Sequence, residues 1–115
     1  MDVQIFGVNN SANTRKALRF FKERRIHVHF VDFKIRGPSK GELRRFVDKL
    51  GVDAVIDRDT KRFQALGLQA AHYGADRWIE IVMDEPLILQ LPLVRCGQNV
   101  TVAFDDGEWK RWLAG

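Results

Sequence analysis

One cysteine, three prolines and one tyrosine among 115 residues leave little to staple or stiffen this chain. The lone Cys96 excludes an intramolecular disulfide and any cysteine-rich zinc site, and with them the signature of an oxidising compartment. A cytoplasmic setting is the default expectation. Long apolar runs are also missing. The longest falls far short of the roughly 20 residues that cross a bilayer, and the opening MDVQIFGVNN has no basic stretch leading into an apolar one. Neither export nor membrane anchoring is expected. Charge of one sign does not dominate: 19 basic against 15 acidic residues give +4, which permits an anionic ligand or partner without demanding one. No internal repeat, linker or low-complexity segment stands out.

What is present is an ordinary globular composition, 45% hydrophobic and 30% charged, in a chain long enough for one core. Val3–Phe6 reads as a short strand stopped by Gly7. From Ala12, the apolar positions Ala17, Leu18, Phe20 and Phe21 recur at helical spacing, with Arg15, Lys16, Arg19, Lys22, Glu23 and Arg24 opposite them; the spacing predicts a helix to about Arg25. His27–Phe33 alternates and carries β-branched and aromatic residues, a second strand. Strand, helix, strand in the first 33 residues points to a βαβ unit with parallel strands.

Gly37-Pro38 interrupts the pattern. Ser39 then opens a helix over Lys40–Leu50, with Glu42 completing a capping box and Gly51 ending it. A short helix over Asp59–Leu66 and an apolar helical stretch over Trp78–Leu89, broken by Pro86, follow. Pro92–Arg95 and Asn99–Phe104 read as strands of a hairpin about Gly97. The tail places Trp109, Trp112 and Leu113 on one helical face. The order βαβ, helical middle, ββα is that of an α/β thioredoxin-like fold with a mixed four-stranded sheet. Residues 1–115 form one such domain on this reading, with a helical insertion at about 38–90.

The start of the first helix admits two readings. Ser11 suits an N-cap whose hydroxyl accepts a backbone N–H of the first turn, with Thr14 filling that turn. The same place also faces unpaired N–H groups and the positive end of the helix dipole, which suits an anion or a thiolate, and Arg15 adds a fixed charge. A serine there is not a nucleophile by itself, because a hydroxyl needs an adjacent general base and none is visible.

Phe6-Gly7 followed by Asn10-Ser11-Ala12-Asn13-Thr14-Arg15-Lys16-Ala17 resembles the active-site segment of the arsenate reductase family, Spx-type regulators included, with its pattern G-x-x-x-C-x-x-[SCT]-R-K-A. The likeness continues in IDRDTKRFQALGL (56–68), in EPLILQLPLVRCG (85–97) and in the tail, and so spans nearly the whole chain. It implies a thioredoxin-like fold with a helical insertion, a cis-proline at Pro92 beside the active site, and Ser11 at the position of the nucleophilic cysteine. Natural loss of the thiol and a deliberate Cys-to-Ser change both account for that serine.

With a cysteine at position 11, the resemblance implies a monothiol site. Thr14 would donate a hydrogen bond to the thiolate, Arg15 would stabilise it, and Asn10 and Pro92 would shape the substrate side for a small oxyanion or thiol. Glutathione would be the co-substrate and glutaredoxin or thioredoxin the redox partner. No cofactor is implied as bound. Leu91 replaces the basic residue that precedes the proline in arsenate-reducing members, leaving Arg58, Arg62 and Arg95 as candidates for an oxyanion cluster. The alternative implied by the Spx-type members is a non-catalytic module that binds a protein such as RNA polymerase, through the basic first helix or the helical insert.

Other residues read more plainly. Cys96 is either a resolving thiol or a small packed residue at a strand end, the second being the commoner role. His27 and His29 share a strand face, but two histidines without a third ligand are ordinary surface residues, and His72 has no partner in the pattern; no metal is expected. The run 15–25 holds six basic residues and one acid. Without an RNA-binding motif, helix-turn-helix spacing or zinc finger beside it, it reads as a solvated helix face, and nucleic-acid binding is not expected.

Overall fold

The computed structural model describes residues 1–114, which divide into two compact units: residues 1–36 with 91–114, and residues 37–90. In the first unit, strand β1 (Asp2–Gly7) is followed by helix α1 (Ala12–Glu23) and strand β2 (His27–Asp32); later come strands β3 (Leu93–Cys96) and β4 (Asn99–Val102) and helix α6 (Asp106–Ala114). The strands form one mixed sheet in the order β2-β1-β3-β4. β1 pairs with β2 in parallel and with β3 antiparallel, and β3 with β4 antiparallel. A parallel pair needs a crossover, and α1 supplies it.

Alternation along β1 and β3 decides where the core of this unit lies. Val3, Ile5 and Val94 share a sheet face and pack with Ala17, Phe20 and Phe21 of α1 and Trp109 and Trp112 of α6. Trp109 is fully buried, with Phe21 and Phe20 at 5.2 and 5.3 Å between ring centroids. Its indole N–H donates to Thr101 Oγ1 at 2.8 Å, so the ring is buried without an orphaned donor. Truncating such a ring to alanine costs about 3–5 kcal/mol.

α1 ends where the chain turns left-handed at Arg25, φ 58°. The N–H groups of Arg25 and Ile26 close back on Lys22 O and Phe21 O, each at 3.0 Å. This is the Schellman arrangement, with the half-buried Ile26 packed on the core beyond it. The β3–β4 hairpin turns on Gly97, φ 61°, with Cys96 opposite Asn99. β4 stops at Val102 instead of reaching Phe104, because Ala103 adopts φ 60° and its N–H leaves the ladder for Pro92 O at 2.9 Å.

The second unit holds α2 (Lys40–Leu50), α3 (Val52–Val55), α4 (Lys61–Ala65), α5 (Ala75–Asp84) and a 3-10 turn over Pro86–Ile88. Ser39 and Glu42 form the expected capping box. Thr60 caps α4, its hydroxyl accepting the Phe63 N–H at 3.1 Å. The apolar stretch expected as a helix over Trp78–Leu89 starts earlier, at Ala75, and stops at Asp84; Pro86 has no N–H to continue it and opens the 3-10 turn. The single turn of α3 has no sequence periodicity to announce it. α2 packs on α5, Phe63 stacks on Trp78 at 6.1 Å, and an isolated bridge joins Ile56, just after α3, to Leu89 near the end of the unit. Arg44 and Asp76 join α2 to α5 at 2.6 Å, which lowers the Asp76 carboxyl below its ordinary value.

Candidate functional site

The end of β1 is where the site begins. Gly7 pairs with Asp32, and its carbonyl accepts the Phe33 N–H at 2.8 Å. On the other side Phe6 lies opposite Leu93, which brings the preceding Pro92 to the same end of the sheet. The Leu91–Pro92 bond is cis, the isomer that the family resemblance implies. Val8, Asn9 and Asn10 then carry the chain over to Ser11. The Ser11 N–H donates to Val8 O at 3.1 Å and fixes the loop.

Ser11 is the N-cap of α1, with extended backbone and a side-chain Oγ that accepts the Thr14 N–H at 3.2 Å. Its carbonyl accepts the Arg15 N–H at 3.1 Å. The N–H groups of Ala12 and Asn13 have no acceptor among the described residues, the usual condition of a helix start. Arg15 folds back so that Nη1 donates to Asn9 O at 2.9 Å, which holds its guanidinium over the loop that leads into Ser11. Asn10 and Arg15 are exposed and Ser11 is half-buried. The site is therefore an open helix N-terminus with one cation folded over its approach.

With Ser11, Thr14 fills the first turn as the N-cap reading expects. Its backbone N–H meets Ser11, and its hydroxyl, which the resemblance would aim at a thiolate if residue 11 were cysteine, turns toward β1. Thr14 is fully buried, and its Oγ1 has no hydrogen-bond partner among the described residues. A Cβ on Gly7 would lie 2.5 Å from that oxygen and 2.9 Å from Thr14 Cγ2, so only glycine fits at position 7 beside this threonine. Sequence reasoning reads Gly7 as a strand breaker; the close approach of α1 is its second reason, visible only in three dimensions.

Of the remaining candidates, Pro92 stands at the Ser11 end of the sheet and Arg95 does not. Arg95 pairs with Gln4 in the ladder, three residues or about 10 Å along β3 from Pro92. Its guanidinium is held there by Gly97 O at 3.0 Å and Gln4 Oε1 at 2.8 Å. Cys96 is one residue further still, half-buried against the α1–α6 core. A disulfide needs Cα atoms within about 7 Å, so the strand's length separates Cys96 from position 11.

Arg58 and Arg62 belong to the second unit and are engaged there. Arg58 pairs with Asp53 at 3.1 Å and lies over Trp78 and Phe63. Arg62 grips Glu85 through both Nε and Nη2, at 2.7 and 2.5 Å, which pulls the Glu85 carboxyl below its ordinary value. His72 lines a groove of about 630 Å³ with Arg58, Tyr73 and Trp78. His27 and His29 share a face with Gln4 and Arg95 around a cleft of about 260 Å³. Among the described residues no group of three or more His, Cys, Asp or Glu side chains is placed to hold a metal ion. No helix of the described residues is long and apolar enough to cross a membrane.

A parallel β1–α1–β2 unit joined to an antiparallel β3–β4 hairpin and a final helix, with a helical segment inserted in the sequence between β2 and β3, is the thioredoxin-like α/β class. Within that class the chain belongs to the ArsC family, whose sequence profile matches residues 6–112. It is similar over 114 residues to the YusI protein of Bacillus subtilis, at 22% identity covering 96% of this chain and 97% of that one. It is also similar over 113 residues to the global transcriptional regulator Spx 2 of Bacillus anthracis, at 20% identity covering 96% and 86% of the two chains. Among solved structures, the protein named YffB matches with a TM-score of 0.88 at 23% identity, covering 95% of this chain and 96% of that one. An arsenate reductase from Vibrio cholerae matches with a TM-score of 0.79 at 21% identity, covering 89% of each.

Proposed function

We propose that the N-terminus of α1 is a site of the arsenate-reductase-like thiol oxidoreductase kind, in which Ser11 stands where the redox thiol belongs. The observation that carries this reading is the Ser11 cap. Its Oγ accepts the Thr14 N–H with Arg15 folded over the approach, and the Ala12 and Asn13 N–H groups are left without acceptors among the described residues. A sulfur in the place of that oxygen would sit at the positive end of the helix as an acceptor, the setting that stabilises a thiolate. A hydroxyl gives up no electrons to an oxyanion, so the chain with Ser11 binds a small oxyanion or thiol ligand without reducing it. Pro92 and Asn10 flank that ligand. For a chain with cysteine at position 11, glutathione would supply the second thiol and glutaredoxin or thioredoxin would reset the site, in the reducing cytoplasm.

The test is alkylation of Ser11→Cys as a function of pH, in a Cys96→Ala background so that a single thiol reports. We expect a midpoint near about pH 7, against roughly 8.5 for a free cysteine. A midpoint at or above that value means that the thiolate setting is absent, and the redox reading falls.

A second reading has its own support: a partner-binding module in the manner of the Spx-type regulators, for which RNA polymerase is the partner the resemblance implies. The serine at position 11 and the cationic flank of α1 favour it. This reading is indifferent to residue 11 and sensitive to charge reversal on an exposed face.

A further inference from the structure

The positive charge of this protein is concentrated on α1 and the turn that ends it. Residues 12–25 hold six of the 19 basic residues and one of the 15 acidic ones, a net +5 in a chain whose total is +4. Elsewhere six cations have a carboxylate partner: Arg44 with Asp76, Arg58 with Asp53, Arg62 with Glu85, Arg77 with Glu80, Lys110 with Asp106 and Arg111 with Glu108. Lys16, Arg19, Lys22 and Arg24 have no carboxylate partner among the described residues.

This flank is not a plain solvated face, because it has an apolar floor. Lys16, Arg19, Glu23 and Arg24 line a groove of about 330 Å³ with Phe20 and Phe104. Phe104 is 40% exposed. The left-handed turn at Ala103 leads into it, and it meets the buried Trp109 edge to face at 5.2 Å, so the ring is braced from below. The Arg24 guanidinium lies 3.7 Å over Phe20, with Nη1 donating to Phe20 O, and the Lys16 ammonium stands 5.9 Å over Phe104. Ring and backbone contacts thus hold Arg24 and Lys16 in place, and neither has an ion pair with a carboxylate among the described residues.

We infer that this groove is a docking site for an acidic, apolar-anchored segment of a partner protein. The segment's carboxylates would meet Lys16, Arg19 and Arg24, and one or two of its apolar side chains would cover Phe104. The cations select the charge of the partner, and the aromatic floor selects a peptide over a nucleic acid. Single-strand binding draws on bases stacked flat on open rings, and here Phe20 lies under Arg24 while Phe104 carries Lys16 and abuts Trp109. α1, with 12 residues, is about 18 Å long, which matches a partner helix of about three turns with Asp or Glu at positions i and i+4. The site rests on the partner-binding reading and leaves the α1 N-terminus out of account.

The probe is a fluorescein-labelled three-turn amphipathic peptide, Glu on one face and Leu on the adjoining one, titrated into the full chain with Ser11 retained. Amide shifts of the 15N-labelled protein locate it. Saturable shifts centred on Lys16, Arg19, Arg24 and Phe104 are expected, and Lys16→Glu/Arg19→Glu should weaken binding by about tenfold or more. Phe104→Ser should weaken it with no change of charge, and Lys61→Glu, on α4, should leave it as it was. All three variants are first shown by circular dichroism to melt as the parent does.

Absence of shifts on α1 up to about 1 mM peptide, the weakest binding worth the name, refutes the site. So does an unchanged affinity in Lys16→Glu/Arg19→Glu, or a short oligo(dT) that binds the same residues more tightly than the peptide. Peptide shifts confined to the second unit would refute this groove and keep the partner-binding reading, whereas the alkylation midpoint of Ser11→Cys bears on neither.

Discussion

Gly7→Ala is the substitution on which the packing beneath the site can be tested most sharply. The new Cβ would lie 2.5 Å from Thr14 Oγ1, 2.9 Å from Cγ2 and 3.3 Å from Cβ. Gly7 does not adopt the left-handed φ that favours glycine, so the backbone itself accepts alanine and the cost is steric. Overpacking of this kind costs about 1–3 kcal/mol, partly offset by about 0.4–1 kcal/mol from the stiffer unfolded chain. A net loss of about 1–2 kcal/mol is expected, which lowers Tm by about 4–8 °C at this size.

Thr14→Ala removes the two closest atoms. Alone it should be nearly neutral: it gives up one buried methyl, about 0.8 kcal/mol, and also removes a buried hydroxyl without a partner, a group that costs about 1–3 kcal/mol. In that background Gly7→Ala should become neutral or mildly stabilising. The double-mutant cycle, read from urea unfolding with a common m-value, should therefore return a favourable coupling of about 1–2 kcal/mol. Additivity within about 0.5 kcal/mol would refute the packing argument, and with it the reading that the Thr14 side chain packs α1 against Gly7 of β1.

Two further outcomes follow from buried and half-exposed polar pairs. Thr101→Val should cost about 1–3 kcal/mol, because it leaves the buried Trp109 N–H unpaired; denaturant unfolding measures it, and a cost below about 0.5 kcal/mol would mean that the indole finds another acceptor. Glu85 is held below its ordinary value of 4.5 chiefly by its hydrogen bond from Arg62. Its contribution to stability is thus present above the unfolded-state value and is lost as pH falls through the lower folded-state value. The pair is half-exposed, so the effect is small: Arg62→Ala should melt slightly below the parent at pH 7, and the gap should close as the pH is lowered through the folded-state value. A gap that persists at low pH would mean that Arg62 acts by packing.

Much of the site could be read from the residues themselves because its parts are local. A Ser three residues before a Thr at the head of an amphipathic run makes an N-cap, and Ser39 with Glu42 makes a capping box, since each satisfies donors within one helical turn. Alternation gave β1 and β2, and Gly97 gave the hairpin, for the same reason. Extending β4 to Phe104 overshot because nothing in Val-Ala-Phe announces a left-handed alanine. α3 escaped because a single turn is shorter than the period that would reveal it.

What the sequence by itself determined is the order of elements, the family, the caps and the concentration of charge on α1, all properties of residue type and short spacing. The tertiary structure alone decided which of the arginines share a place. Pro92 comes to the Ser11 end of the sheet by strand register, the same register carries Arg95 and Cys96 away from it, and Arg58 and Arg62 are bound to carboxylates of their own unit. It also decided that the Thr14 hydroxyl faces Gly7 and not Ser11, and that Phe104 floors a cationic groove. These are distances between residues far apart in the chain, set by how the strands pair and how the helices pack upon them, and no local pattern encodes them.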